Sequence, residues 1–175
     1  MKNNELVSEV ERTTGMLLQT IQGLTDAQLT YKINPQVWSI HQCLEHIVIT
    51  EIAVYRILMK EPATNSGVTT AEKIGKEKIE KLMLDRSRKT ESPDEVKPIG
   101  RFDSIEELKE KFKGNRDRII EALKNDSIIF DSQIIVHPSL GEMTKKDWLH
   151  FMIHHCDRHN KQIEEIKSFA QLQMI

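Results

Sequence analysis

The chain has 175 residues, of which 38% are hydrophobic and 30% charged, a profile typical of one globular domain with a sizeable core. Its formal net charge is −2, which does not favour a phosphate-neutralising nucleic-acid surface. No apolar run is long enough for a membrane span, and no secretory signal is visible. The two cysteines, Cys43 and Cys156, are widely spaced and fit a reduced protein. We therefore expect a single cytoplasmic domain over residues 1–175.

The first half of the chain predicts two long helices. Apolar residues recur at helical spacing over residues 4–22, and Thr25 then predicts the N-cap of a short turn. Ser39 is a good N-cap for the second long helix, with Gln42 at the capping-box position, and this helix ends before Pro62. It is apolar on most faces, which is typical of a helix packed inside a bundle.

The second half is less regular until it reaches two more long helices. Residues 63–100 contain a charged stretch that can form one short amphipathic helix, followed by a polar loop. Ser104 and Glu107 predict a capping box for the third long helix. The stretch "SIIFDSQIIVHPSLGEM" predicts a short extended segment that is too short to require a sheet. Thr144 and Asp147 predict the capping box of the fourth long helix.

Four long amphipathic helices with connections of mixed length predict an all-α four-helix bundle. The long excursion between the second and third helices permits a crossover connection. The short extra helix is expected within that crossover.

The fourth helix contains four of the seven histidines, namely His150, His154, His155 and His159. At about 100° per residue, His155 and His159 fall in the middle of the apolar stripe. His150 and His154 point into the polar sector, and we expect them to be solvated. Because His155 and His159 are spaced i, i+4, their imidazoles can reach one metal ion, although two hydrogen-bonded core histidines would have the same spacing.

The second helix offers a third ligand on its inward face. His46 has Cys43 and Thr50 among its neighbours on the helical wheel, whereas His41 lies on a different face. Three histidines with one open position are the arrangement expected of a catalytic metal rather than a structural one. On its own, His46 would more often be a hydrogen-bonded, partly buried histidine. The two cysteines also lie on inward faces, and we interpret them as small core residues.

The stretches "WSIHQCLEHI" and "HPSLGEMTKKDWLHFMIHHCDRHNKQI" resemble the DinB/YfiT-like superfamily of metalloenzymes. The resemblance covers residues 25–60 and 137–166. It implies a four-helix bundle, commonly dimeric, that holds a divalent metal, often nickel or zinc, with three histidines. At the matching positions these are His46, His155 and His159, the same three that helical phase selects.

The resemblance also draws attention to two further residues. Gln162 lies one turn beyond His159 and is either a hydrogen-bond partner of that ligand or a polar residue in helix packing. His137 belongs to a family turn and is a candidate for lining the pocket of the site.

Three neutral imidazoles leave a divalent metal with its full charge, which can lower the pKa of a bound water or thiol. The first supports hydrolysis, and the second supports transfer of a small-molecule thiol to an electrophile. The family resemblance implies enzymes of both kinds, including transferases that use bacillithiol or mycothiol. The sequence and the resemblance together predict a metal-dependent hydrolase or thiol S-transferase with a small-molecule substrate, and the resemblance implies a homodimer. The alternative is a non-enzymatic, stress-related bundle protein that binds a metal or a ligand.

Overall fold

The computed structural model describes residues 3–62, 72–87 and 91–173. Within these ranges the helices are α1 Asn4–Thr20, α2 Asp26–Thr30, α3 Ile40–Leu58, α4 Lys76–Leu84, α5 Ile105–Lys124 and α6 Lys145–Gln173. A 3-10 turn spans Asp94–Val96, and strands β1 Ile135–His137 and β2 Gly141–Met143 lie between α5 and α6.

The four long helices α1, α3, α5 and α6 form the bundle, as the sequence predicted. Helix α1 packs against α5 and α6, and α3 packs against the same two helices. Because α3 lies alongside α6, the inward faces of these two helices oppose each other. This neighbour relation is what allows a histidine of α3 to meet histidines of α6.

The predicted N-caps are present at the starts of four helices. Full capping boxes, in which side chain and backbone exchange hydrogen bonds, are formed by Thr25 with Gln28, Ser39 with Gln42, and Thr144 with Asp147. At α5 the prediction is half right. Ser104 accepts the backbone N–H of Glu107, but the Glu107 carboxylate accepts the N–H of Asp103 instead of that of Ser104.

The core combines apolar packing with buried ion pairs, of which Arg116 with Glu51 lies between helices of the bundle. Two apolar clusters fill the two ends of the bundle, and no described helix is long and apolar enough to cross a membrane. Arg116 of α5 and Glu51 of α3 are fully buried, and the Arg116 Nε lies 2.9 Å from the Glu51 Oε2. Arg116 also donates to the carbonyl oxygen of Val10 on α1. The guanidinium therefore links three helices of the bundle.

The crossover between α3 and α5 contains the predicted extra helix, α4, which packs against the outer face of α6. Asp147 of α6 anchors its start, because its carboxylate accepts the backbone N–H groups of Lys73, Ile74 and Gly75 at 2.7, 3.2 and 2.9 Å. Arg158 of α6 donates to the carbonyl oxygens that end α4. Residues 63–71 and 88–90 of the predicted irregular region lie outside the described residues.

The predicted extended segment before α6 forms a small two-stranded sheet, which its sequence allowed but did not require. Strands β1 and β2 pair antiparallel, with Ile135 opposite Met143. The chain turns back through Gly141, whose φ of 79° is a conformation that glycine adopts without strain. The strands satisfy each other's backbone groups, and Trp148 of α6 donates its indole N–H to the Ile135 carbonyl.

Candidate metal centre

Three imidazoles meet between α3 and α6. The Nε2 atom of His155 lies 3.1 Å from the Nε2 of His46 and 3.1 Å from the Nε2 of His159. One ligand atom of each residue lies within 4.8 Å of the others, and all three residues are buried. The structure therefore brings together the three histidines that the sequence selected.

Hydrogen bonds fix which ring nitrogen carries the proton in two of the three. The Nδ1–H of His46 donates to the carbonyl oxygen of Val96 at 2.8 Å. The Nδ1–H of His159 donates to the Oε1 of Gln162 at 2.9 Å. A neutral imidazole has only one N–H, so the Nε2 of each residue is an unprotonated acceptor. Gln162 is thus the hydrogen-bond partner of His159, the first of its two interpretations.

The cluster fits a divalent metal by its donor set and by its spacing. The Nε2 of His155 can donate a hydrogen bond to only one of its two neighbours. Without a metal ion, at least one pair of Nε2 atoms would therefore meet with both lone pairs facing each other. Tetrahedral zinc with Zn–N bonds of about 2.1 Å separates ligand nitrogens by about 3.4 Å. The two separations from His155 are 3.1 Å, close to this value, and all the ligand atoms lie within 4.8 Å of one another. Imidazole nitrogen suits zinc and nickel alike.

Burial keeps the three ligand candidates neutral. Desolvation lowers the pKa of His159 to about 3 and the pKa of His155 well below its usual value. Desolvation also lowers the pKa of His46, although its hydrogen bond to Val96 opposes this change. Neutral imidazole is the form that binds a metal, so the free protein holds its ligands ready for binding.

Two aromatic rings flank the cluster. The Trp38 ring centroid lies 4.9 Å from that of His46 and 6.3 Å from that of His159. The Phe151 ring lies 5.0 Å from the ring of His155. Trp38 is not among the predicted site residues, although its place in "WSIHQCLEHI" was the available signal.

His137 lies beside the cluster but outside it. Its ring packs against Phe151 at 4.6 Å, and the same Phe151 ring lies 5.0 Å from the ring of His155. Its Nδ1 accepts the backbone N–H groups of Ser139 and Leu140, and burial lowers its pKa to about 4. These contacts make His137 a neutral part of the turn that follows β1.

His150 and His154 are buried, and the prediction that they are solvated is wrong. They are 4% and 3% exposed. Helix α4 covers the polar sector of α6. The Nε2 of His150 lies 3.3 Å from the Glu72 carboxylate, and the Nδ1 of His154 lies 3.3 Å from the Asp157 carboxylate. Helical phase correctly directed both residues away from the metal cluster, but it could not report what packs over them.

The two cysteines are core residues, as predicted. Cys43 and Cys156 are fully buried, and burial raises the pKa of each thiol to about 12. A thiol in this environment is protonated at neutral pH and is a poor nucleophile.

Comparison with known families matches the DinB superfamily over residues 9–163. The chain belongs to the DinB superfamily. It is 27% identical over 147 residues to the uncharacterized protein YuaE of Bacillus subtilis (strain 168), an alignment that covers 84% of this chain and 88% of YuaE. It also resembles the crystal structure of TT2238, a four-helix bundle protein, with a TM-score of 0.53, 17% identity, and coverage of 93% of this chain and 98% of TT2238. The first comparison confirms the family resemblance of the two motifs, and the structural likeness confirms the fold.

Proposed function

We propose that this DinB-superfamily protein is a metal-dependent enzyme in which His46, His155 and His159 bind one divalent metal, nickel or zinc. The observation that supports the proposal is the convergence of three buried Nε2 atoms, two of them with tautomers set by hydrogen bonds. A buried imidazole without a proton on its inward nitrogen offers its lone pair to a metal ion.

A divalent metal held by three neutral imidazoles would supply a Lewis acid that lowers the pKa of a thiol or water bound at its open position. The three imidazoles that would hold the metal are buried, and the Trp38 and Phe151 rings flank them. Electrostatic interactions are stronger in such surroundings than in bulk water.

Of the two reactions, we propose thiol transfer, because it needs fewer groups from the protein. The hydrogen bonds of the three imidazoles go to a carbonyl, an amide and one another, which hold the rings in place. Hydrolysis commonly depends on a positioned general acid or base. A thiol whose pKa has been lowered is already a nucleophile at neutral pH. The protein's own Cys43 and Cys156 do not fill this role, because burial raises the pKa of each to about 12.

The proposed reaction is the transfer of a low-molecular-weight thiol to a small electrophile. The thiol proton goes to solvent, and the thiolate sulfur attacks the electrophilic carbon. A carbon–sulfur bond forms as the bond to the leaving group breaks, and the leaving group departs with the electron pair. We include in the proposal a homodimer, which light scattering of the purified protein would test.

The metal part of the proposal is tested by elemental analysis and by two neighbouring histidine variants. We expect nickel or zinc to copurify with the wild-type protein in a near-stoichiometric amount, and His155→Ala to lose it. His154→Ala is the matched control, because His154 is the adjacent residue, is equally buried and lies outside the cluster. Equal metal content in wild type and His155→Ala would refute the assignment of the ligands.

The reaction is tested with the metal-loaded protein and a panel of thiols, including cysteine, glutathione, bacillithiol and mycothiol, against 1-chloro-2,4-dinitrobenzene. We expect turnover with at least one thiol, lost after chelation and restored by the metal. Turnover of activated esters without thiol turnover would replace the transferase with a hydrolase. If the metal-loaded protein turns over neither class, the non-enzymatic alternative takes the place of both.

A further inference from the structure

A second buried carboxylate on α3 holds the end of the crossover against the bundle. Glu45 is fully buried, and its carboxylate accepts three consecutive backbone N–H groups. Its Oε1 lies 3.0 Å from the amide nitrogen of Ile99, 3.1 Å from that of Gly100 and 3.0 Å from that of Arg101. Gly100 has a φ of 79°, which lets successive N–H groups converge on one anion. We call residues 94–101 the crossover turn.

The same crossover turn contacts the metal centre. Its Val96 carbonyl accepts the Nδ1–H of His46, the residue that follows Glu45 in α3. The turn is also tied to itself, because the Arg101 guanidinium donates to the Lys97 carbonyl at 2.6 Å and to the Glu95 carbonyl at 3.4 Å. Movement of the anchored end therefore moves the carbonyl that holds His46.

We propose that Glu45 is a positioning residue of the metal centre, which acts through the crossover turn to hold His46 with Nε2 unprotonated and directed at the metal. This inference rests on the proposed metal-binding function. Glu45 itself contacts neither a metal nor a substrate in this arrangement. Glu45 accepts hydrogen bonds from three N–H groups of the crossover turn and so fixes the turn's position. The turn places the Val96 carbonyl beside His46, and this carbonyl determines which ring nitrogen of His46 is protonated.

Loss of the anchor has a specific chemical consequence. Without the Val96 carbonyl, the Nδ1 of His46 has no acceptor in this contact, and imidazole in water favours the Nε2–H tautomer. A proton on Nε2 occupies the lone pair that the metal needs. Loss of Glu45 should therefore change the tautomer of His46, a change that a general loss of stability would not produce.

Thermodynamic linkage adds a reciprocal effect. If the docked crossover turn strengthens metal binding, then metal binding must stabilise the docked turn by the same factor. The amides of Ile99, Gly100 and Arg101 should therefore exchange more slowly with solvent when the metal is bound. The exchange rates of these three amides report directly on their hydrogen bonds to Glu45.

The test compares Glu45→Gln with Glu51→Gln. Both change a fully buried carboxylate of α3 into an amide, but Glu51 pairs with Arg116 and has no contact with the crossover turn among its described hydrogen bonds. The measurement is the zinc Kd of each folded protein in competition with a chelator. We expect Glu45→Gln to bind zinc about tenfold more weakly, at the low end of effects for residues behind a ligand, and Glu51→Gln to match wild type.

The tautomer of His46 is measured in the metal-free proteins by nitrogen-15 NMR of the histidine side chains. We expect the Nδ1–H form in wild type and in Glu51→Gln, and a shift toward Nε2–H in Glu45→Gln. Hydrogen exchange of residues 99–101 with and without zinc completes the comparison. The zinc-dependent protection should be large in wild type and reduced in Glu45→Gln.

Gly100→Ala provides a second variant if Glu45→Gln does not fold. An alanine Cβ at this position meets no atom within 4 Å, so the change disturbs the crossover turn only through its positive φ. We expect weaker zinc binding and the same shift of the His46 tautomer.

Two outcomes would overturn the inference. One is an unchanged His46 tautomer in Glu45→Gln, or in Gly100→Ala if the first variant does not fold. The other is equal weakening of zinc binding in Glu45→Gln and Glu51→Gln, which would mean that both act through stability alone. If wild type itself binds neither zinc nor nickel, the proposed function fails, and the tautomer measurement still decides the role of Glu45 separately.

Discussion

Helix α6 presents two histidine pairs with the same i, i+4 spacing and very different surroundings. We call His155 and His159 the inner pair, and His150 and His154 the outer pair. Each pair is buried. The inner pair faces His46, so three neutral rings share one point. In the outer pair, each imidazole lies 3.3 Å from a carboxylate of its own, Glu72 for His150 and Asp157 for His154.

The comparison shows that spacing on a helix determines which side chains can reach one point, while the opposing element determines what they do there. In the outer pair, His150 has a hydrogen-bond acceptor in Glu72, and His154 lies at ion-pair distance from Asp157. Three neutral imidazoles in contact cannot satisfy all their lone pairs with one another, and a divalent cation would bind those lone pairs. Each pair therefore serves as a control for the other.

The largest expected difference between the pairs is in metal affinity. We expect His159→Ala to weaken zinc binding by about a hundredfold or more, because a direct ligand matters more than the residues behind it. We expect His150→Ala to leave the affinity unchanged. Competition with a chelator measures both, and a similar loss in the two variants would remove the distinction between the pairs.

The second difference is in stabilisation by the metal. At a free zinc concentration of a hundred times Kd, the native state gains about 2.7 kcal/mol, which raises the Tm by about 5–10 °C for a protein of this size. We expect chelation to reverse this shift in wild type and in His150→Ala. The His155→Ala protein should melt at the same temperature with and without zinc. A zinc-dependent Tm in that variant would point to a different binding site.

The third difference concerns acid. In the metal-free protein, burial lowers the pKa of His159 to about 3, below the value of about 6.5 for an unfolded histidine. The unfolded state therefore takes up protons first, and stability that is complete above about pH 6.5 is lost as the pH falls toward 3.

His159→Gln should reduce this loss of stability, by up to about 1.4 kcal/mol per pH unit. His150→Gln should reduce it less. Burial lowers the pKa of His150 too, but the Glu72 carboxylate opposes the change. Urea unfolding at pH 7, 6 and 5 measures these slopes, and equal slopes in the two variants would contradict the role of Glu72.

The smallest expected effect is on stability, and it comes from removing the carboxylate beside His154 of the outer pair. Asp157 accepts two hydrogen bonds of 2.9 Å from Arg12 and lies beside His154. Although burial raises the pKa of Asp157, its contacts with His154 and Arg12 lower it to about 2. We expect Asp157→Asn to cost about 1 kcal/mol of stability, since these contacts are partly exposed. Zinc affinity should not change, and a change would show that the two faces of α6 are coupled.

Much of this protein could be predicted from sequence because helices are local structures. The N-caps at Thr25, Ser39 and Thr144 follow from residues three positions apart, and the four long helices follow from apolar spacing. Helical phase also separated the inner pair from the outer pair. These features depend on contacts within one or two turns, so the order of residues determines them.

Tertiary structure decided the rest, because it depends on segments that are distant along the chain. The outer pair is buried because α4, from the least regular region, packs over the polar sector of α6. The tautomer of His46 depends on Val96, and the position of Val96 depends on the backbone amides that Glu45 binds. No periodic pattern records such contacts, since hydrogen bonds to a backbone carbonyl or amide place almost no demand on the side chain of that residue.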